Sequence, residues 1–234
     1  MIRRLFICFF LLLVATPCAA VAQNTGATAM VSALFELEEG VLEYEIPPLF
    51  QSTFTIGDGS SSTMGSLPTG PLRLEAGESF EIFGFSDSFG FFDSTTDGSV
   101  IGGTFFSLLN EDSFSRDVSV NITVSAFVDS FGSSLDPIDS SASANFALFL
   151  ESDLEPIPDL DIGLSSIAFL NEGLIEEERS FLLTENIAAN SRLDYGATFD
   201  VFTNSFVSIS VPEPNSLTAL CFLSIAVLTR RRRK

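Results

Sequence analysis

The feature that most limits what this chain can fold into is an alternation of apolar and polar residues from Asp117 to Asp129. Six apolar side chains occupy every second position there, with Ser, Asn and Thr between most of them. Successive side chains of a β-strand point to opposite faces, so this pattern predicts a strand with one buried face. The apolar positions are Val118, Val120, Ile122, Val124, Ala126 and Val128.

The same alternation occurs in two later segments. One runs from Ala142 to Leu150, and the other begins at Leu193 and continues with the same parity to Val211. Nineteen residues exceed the usual length of a strand, so we expect a bulge or turn at Thr203-Asn204-Ser205.

Shorter strands are predicted between turn sequences rich in Gly, Pro and Asp. No segment shows a sustained helical period, although Asn171–Arg179 permits one acidic helical turn. About ten short strands without crossover helices predict an all-β fold, an antiparallel β-sandwich or jelly roll. The shorter strands are Ala29–Glu38, Val41–Ile46, Thr53–Ile56, Ser79–Ser86, Val100–Leu109, Asp161–Leu170 and Ser180–Thr184, and the turns are Gly57-Asp58-Gly59, Pro68-Thr69-Gly70-Pro71, Asp97-Gly98, Asp136-Pro137 and Pro156-Ile157-Pro158.

The tetrapeptide Asp-Ser-Phe-Gly occurs twice, at Asp87–Gly90 and at Asp129–Gly132. Each copy follows a predicted strand. A match of four residues in a chain rich in Ser and Phe is weak support for a repeat, and we interpret it as coincidence.

The first 22 residues have the three parts of a secretory signal peptide. Arg3 and Arg4 precede an apolar run from Leu5 to Val14, and an A-x-A site follows at Ala20-Val21-Ala22. Signal peptidase is therefore expected to cleave after Ala22. A lipoprotein anchor at Cys18 is the alternative, but Pro17 stands where such signals usually have a small residue.

The segment between the two ends is strongly acidic. Residues 23–210 contain 30 Asp and Glu and four Arg, which gives this segment a net charge of −26. The basic residues at the two ends reduce the net charge of the whole chain to −20. Such a surface repels nucleic acid and anionic lipid. All three Cys lie outside this segment, so it is expected to form no disulfide and to depend on an apolar core.

The last 24 residues combine three features in a fixed order. Val211-Pro212-Glu213-Pro214 comes first, an apolar run from Leu217 to Thr229 follows, and the chain ends in five basic residues. This order resembles the PEP-CTERM sorting signal of exported bacterial proteins. The resemblance covers about a tenth of the chain and implies recognition of Pro212, Glu213 and Pro214 by exosortase, an intramembrane cysteine protease. Many members of that family are linked to extracellular polysaccharide.

The physical properties of the tail favour a transient membrane segment, with an ordinary single-pass anchor as the alternative. As a helix, residues 217–229 would span about 20 Å, against about 30 Å of bilayer hydrocarbon. The basic residues predict a cytoplasmic end and place the acidic domain outside. They are Arg230, Arg231, Arg232, Arg233 and Lys234.

The residue types present exclude several kinds of chemistry. The chain contains no His, which excludes Ser-His-Asp and Cys-His catalysis and His-ligated zinc. A pair of carboxylates could still hydrolyse glycosides, but no spacing singles out one pair. Calcium binding is a stronger candidate, because carboxylates and loop carbonyls are its ligands, with Asp153, Asp159 and Asp161 as candidate ligands. Asp159–Gly163 does not match an EF-hand loop, so a solvated acidic loop is the simpler interpretation.

Together these features divide the chain into a signal peptide (1–22), a β-sandwich ectodomain (23–210) and a sorting tail with a short hydrophobic helix (211–234). We expect a protein that is exported, held in the membrane by its tail and processed by exosortase, without catalysis or a cofactor of its own. Its place would be the cell surface or the extracellular polysaccharide matrix. The alternatives are a module that binds calcium or glycan and, more remotely, a glycosidase that uses carboxylates.

Overall fold

The computed structural model describes residues 24–45, 49–67, 73–132, 140–150, 161–167 and 174–207. These residues form ten β-strands, and no helix occurs among them. The strands are β1 (Asn24–Glu39), β2 (Val41–Glu45), β3 (Phe50–Ser66), β4 (Arg73–Glu75), β5 (Ser79–Asn110), β6 (Arg116–Gly132), β7 (Ser140–Leu150), β8 (Ile162–Ile167), β9 (Ile175–Ile187) and β10 (Ser191–Val207).

All ten strands belong to one antiparallel sheet. Its main path runs β8-β7-β10-β5-β1-β6-β9, while β2 and β3 also pair with β5, and β4 pairs with β2. The sheet curls until β6 and β9 approach β8, which makes it nearly closed and barrel-like. The all-β, antiparallel prediction is therefore confirmed, but the strands are joined in one curled sheet instead of two separate ones.

The curl depends on β5, which contributes to two opposite walls. Its first part pairs with β1 up to Phe91, and its second part pairs with β10 from Ser94 onward. Between them Asp93 has a φ of 48°. The two parts then face each other, since a Cβ placed on Gly98 would lie 2.4 Å from the Oγ of Ser86.

The core lies between these walls and follows the alternation of the strands. All six apolar positions predicted in β6 are buried, as are Phe35, Phe106, Phe146 and Phe199. Phe35 stacks on Phe80 with ring centroids 4.6 Å apart. The three long alternating strands predicted from sequence are thus confirmed at β6, β7 and β10.

Near the bend of β5 the interior is narrow and lined with hydroxyl groups instead of large apolar side chains. The Oγ of Ser86 and the Oγ1 of Thr203 are 2.7 Å apart, and Thr25 is hydrogen-bonded to Ser205. The predicted bulge or turn at Thr203–Ser205 is wrong, because β10 pairs with β5 without interruption from Ser191 to Val207. Thr203 and Ser205 can be buried there because their hydroxyl groups bond to those of Ser86 and Thr25.

Three other expectations were wrong. Gly57-Asp58-Gly59 lies within β3, at an irregularity in its pairing with β5 and not at a turn between strands. Asp97-Gly98 lies within β5, where the absence of a side chain on Gly98 lets the walls approach. In the described part of Asn171–Arg179, residues from Ile175 onward form β9 and pair with β6. The pairing of β9 with β6 therefore outweighs the local acidic pattern, which permitted a helical turn. The turns predicted at Pro68–Pro71, Asp136-Pro137 and Pro156–Pro158 lie outside the described residues.

Candidate functional site

The two end signals predicted from sequence lie outside the described residues. This applies to Ala20 and Ala22 at the leader cleavage site, to Val211–Pro214 and to Arg230–Lys234. Within the described ranges, no helix has the length and apolar character needed to cross a membrane.

Of the calcium candidates, the structure describes Asp161 only. Asp153 and Asp159 lie outside the described residues. Asp161 is exposed just before β8, and its carbonyl oxygen accepts a hydrogen bond from the Nη1 of Arg179 at 3.0 Å. Among the described residues no group of three or more acidic side chains is arranged to hold a metal ion. A calcium site in the acidic loop stays a prediction.

A cleft of about 620 Å³ opens where β2 and β10 flank the end of β5. Two of the four arginines of the acidic segment line it, together with three carboxylates and four aromatic rings. β2 contributes Glu43, Tyr44 and Glu45, β4 contributes Arg73, β5 contributes Phe105, Phe106 and Ser107, and β10 contributes Arg192, Asp194 and Tyr195.

Four of the five charged side chains that line the cleft form ion pairs. Arg73 donates two hydrogen bonds to Glu111, at 2.8 and 2.6 Å, and a third to Glu43 at 3.3 Å. The hydrogen bond with Glu111, more than any other contact, raises the pKa of Arg73, and it lowers the pKa of Glu111. On the other side, Asp194 accepts from the Oγ of Ser107 at 2.5 Å and pairs with Arg192 at 3.3 Å.

The wall of the cleft is aromatic. Phe106 stacks on Tyr195 at a centroid distance of 5.3 Å, and the phenol of Tyr195 donates to Glu185 at 2.8 Å. Burial, followed by the bond and charge of Glu185, raises the pKa of Tyr195, which keeps the phenol protonated. Phe105 is 41% exposed at the same site. The arrangement suits a polar ligand that offers hydroxyl groups and one apolar face.

The structure brings together the two copies of Asp-Ser-Phe-Gly, whose repetition we interpreted from the sequence as coincidence. Asp87–Gly90 lies on β5 and Asp129–Gly132 lies on β6, and both pair with Thr25–Thr28 of β1. Each of these four residues of β1 therefore has the same residue type on both sides. The signal was present in the sequence, but the strand that joins the two copies precedes both of them in the chain.

The two copies form matched rows on the outer face of the sheet. The rings of Phe89 and Phe131 are 5.9 Å apart across Gly26. In the next row Asp87 and Asp129 flank Thr28, whose Oγ1 donates to Asp87 at 2.9 Å. Two strand spacings put the carboxylates about 10 Å apart, too far to share one cation.

Comparison with known proteins gives little. No protein-family model matches the sequence, and a search of curated proteins finds no match. Among solved structures, the secreted serine protease VesC from Vibrio cholerae is 7% identical over 79% of this chain, with a TM-score of 0.14. The chain spans about half of that structure, 48%. An outer membrane channel from Pseudomonas putida F1 is 9% identical, with 82% of this chain and all of the channel covered, at a TM-score of 0.10. Neither likeness supports an inference about fold or function.

Proposed function

We propose that this protein is an exported structural or interaction protein of the cell envelope or extracellular polysaccharide, without catalysis of its own. Signal peptidase would remove residues 1–22, and exosortase would process the tail at Val211–Pro214. A short hydrophobic helix over 217–229, which would hold the tail in the membrane before processing, belongs to the same proposal. The single observation that carries it is the order of the tail: Pro-Glu-Pro, a short apolar run and five basic residues.

Two features of the folded part support this proposal. The ten strands form without a disulfide, since the acidic segment contains no Cys, and they enclose an apolar core. In the cleft Glu43, Arg73 and Asp194 are engaged in ion pairs. These pairs hold the polar groups of the cleft in fixed positions, which suits the binding of a ligand.

Mass spectrometry of the C-terminus tests the processing. The surface-located protein from cells that contain an exosortase is expected to lack Arg230–Lys234. A Pro212→Ala/Glu213→Ala/Pro214→Ala variant is expected to keep them. As a matched control, Ser208→Ala/Ser210→Ala changes neighbouring residues outside the motif. An intact basic end on the mature surface form of the unaltered protein would sink the proposal.

A second candidate function is glycan binding in the cleft, and the exposure of Phe105 favours it. A half-exposed ring in a cleft that Arg73, Arg192 and Asp194 also line offers stacking and hydrogen bonds together, as a sugar requires. Calcium binding through the acidic loop remains the other form of this alternative.

Glycan binding is tested with Phe105→Ala against a panel of neutral and acidic polysaccharides. Affinity is expected to fall about fivefold, since an aromatic contact contributes on the order of 1 kcal/mol. Phe202→Ala is the control, because Phe202 is 40% exposed on β10 and does not line the cleft. Equal losses in both variants, or no binding by the unaltered protein, would remove this candidate.

A further inference from the structure

β3 is an edge strand: β5 pairs with one of its edges, and no described strand covers the other. The pairing with β5 runs from Phe50 to Ser66. Residues 50–58 are exposed on both faces. An unpaired edge presents a row of backbone N–H and C=O groups that can accept a further strand.

The first half of β3 has none of the features that usually protect such an edge. Phe50-Gln51-Ser52-Thr53-Phe54-Thr55-Ile56 contains no charge, no Pro and no Gly, and it is rich in residues that favour strands. Charged residues, Pro and short length are the common protections against edge pairing. Their absence is unusual in an acidic segment where 30 of 188 residues are Asp or Glu.

We infer that residues 50–56 are a self-association site at which β3 pairs antiparallel with β3 of a second copy of this chain. A two-fold axis through Thr53 places Phe50 opposite Ile56 of the second copy and Phe54 opposite Ser52. Aromatic and β-branched residues are favourable cross-strand pairs. Asp58, the one charged residue of β3, lies outside the paired segment.

Charge and area both favour a second copy as the occupant. Two copies repel each other through most of their acidic surface, and an uncharged edge minimises that repulsion on contact. Phe50, Phe54 and Ile56 are 65%, 51% and 58% exposed. At roughly 200 Å² for a Phe side chain, these residues in two copies offer on the order of 600 Å². The backbone edges bring the total toward the roughly 1,000 Å² of a weak, reversible interface.

Disulfide trapping tests the register. In the full chain with Cys8, Cys18 and Cys221 changed to Ser, Thr53→Cys is expected to form a covalent dimer on mild oxidation. The two copies of residue 53 are directly opposite each other, within the Cα distance that a disulfide requires. Thr55→Cys is the matched control, because the two copies of residue 55 are about 14 Å apart in this register. Equal yields from both variants, or no dimer from Thr53→Cys, would overturn the inference.

Analytical ultracentrifugation of the full chain tests self-association through this edge without introducing a cysteine. The unaltered protein is expected to show a monomer–dimer equilibrium, and Phe54→Lys is expected to weaken it about tenfold or more, since a charge on the edge opposes pairing. Leu182→Lys is the control, because it puts the same charge on an apolar position of β9 with similar exposure: Leu182 is 57% exposed and Phe54 is 51% exposed. This variant is expected to leave dimerisation unchanged. A monomer at all concentrations, or equal effects of the two lysines, would overturn the inference and show that something else covers this edge. The inference does not depend on export or tail processing, so its failure would leave the proposed function untouched.

Discussion

Gly57 lies where the paired strands β3 and β5 bend, and its conformation is one that side chains disfavour. Its φ is +80°, and a Cβ at this position would lie 2.4 Å from the carbonyl oxygen of Asp93. Gly77 has a similar φ of +90°, but a Cβ added there would meet no atom within 4 Å. Comparing substitutions at the two glycines therefore separates the cost of backbone strain from the cost of a steric conflict.

Gly57→Ala is expected to destabilise the fold more than Gly77→Ala. Strain alone costs about 1–2 kcal/mol in the left-handed region, and the contact with Asp93 should raise the loss at Gly57 to about 3 kcal/mol or more. Urea denaturation of both variants measures the difference. Equal losses would show that the bend can move to accommodate a methyl group.

Asp87 is expected to make stability depend on pH. Burial raises the pKa of its carboxyl, and the hydrogen bond from Thr28 opposes this in part. A folded pKa above the unfolded value means that the fold favours the protonated acid, so ionisation lowers stability as pH rises from about 3.9. Asp87→Asn should therefore raise the melting temperature at pH 7 and have little effect near pH 3.

Asp129→Asn is the matched control for this prediction. Asp129 occupies the equivalent position on β6, so the variant removes the same charge on the opposite side of β1. The same pH-dependent gain in both variants would show that net charge, and not burial of Asp87, produces the effect.

At the scale of elements, the sheet is held closed at the seam between β8 and β9. Arg179 on β9 donates to the carbonyl oxygen of Asp161 at 3.0 Å and pairs with Glu177 at 2.5 Å. β8 has only six residues and pairs with β7 alone among the described strands. The seam is thus held together mainly by side-chain contacts. Because it lacks a ladder of backbone hydrogen bonds among the described strands, it should be the first part of the sheet to open.

Arg179→Gln is expected to accelerate hydrogen exchange of the β8 amides, Ile162–Ile167, while overall stability falls by less than about 1.5 kcal/mol. Hydrogen–deuterium exchange with mass spectrometry measures the local effect. Arg192→Gln serves as the control, since Arg192 is 65% exposed and pairs with Asp194 of its own strand. Unchanged exchange in β8 would contradict a role for Arg179 in closure.

At the scale of the whole molecule, the acidic segment must fold against its own charge. Its 30 acidic residues, against only four arginines, repel one another at low salt. Each arginine forms at least one ion pair, and Arg73 and Arg116 each form two, but all of these pairs are partly exposed and contribute little.

The melting temperature is therefore expected to rise with ionic strength. Between about 10 mM and about 0.5 M NaCl the Debye length falls from about 30 Å to under 5 Å, which screens repulsion across the molecule more than contact pairs. Differential scanning calorimetry measures the change, with sucrose as a control for non-ionic stabilisation. A fall in melting temperature with salt would show that the ion pairs outweigh the net repulsion.

The sequence by itself determined the strand character of this protein and the buried face of its longest strands. Val118–Val128 alternate so strictly that only a half-buried strand satisfies them, and the structure buries each of the apolar positions. It also determined the acidic surface and the lack of disulfides in residues 23–210. Such properties follow from local periodicity and composition, which need no knowledge of distant contacts.

Only the tertiary structure decided which strands meet. The sequence divided β5 into Ser79–Ser86 and Val100–Leu109 because Asp97-Gly98 is a common turn sequence, but pairing of these two residues with β10 and β3 keeps the strand continuous. The pairing of Asp87–Gly90 and Asp129–Gly132 across β1, the cleft between β2, β4, β5 and β10, and the uncovered edge of β3 likewise depend on contacts between residues far apart in the chain. Pairing at long range is set by burial and register summed over the whole sheet, and a local window contains neither.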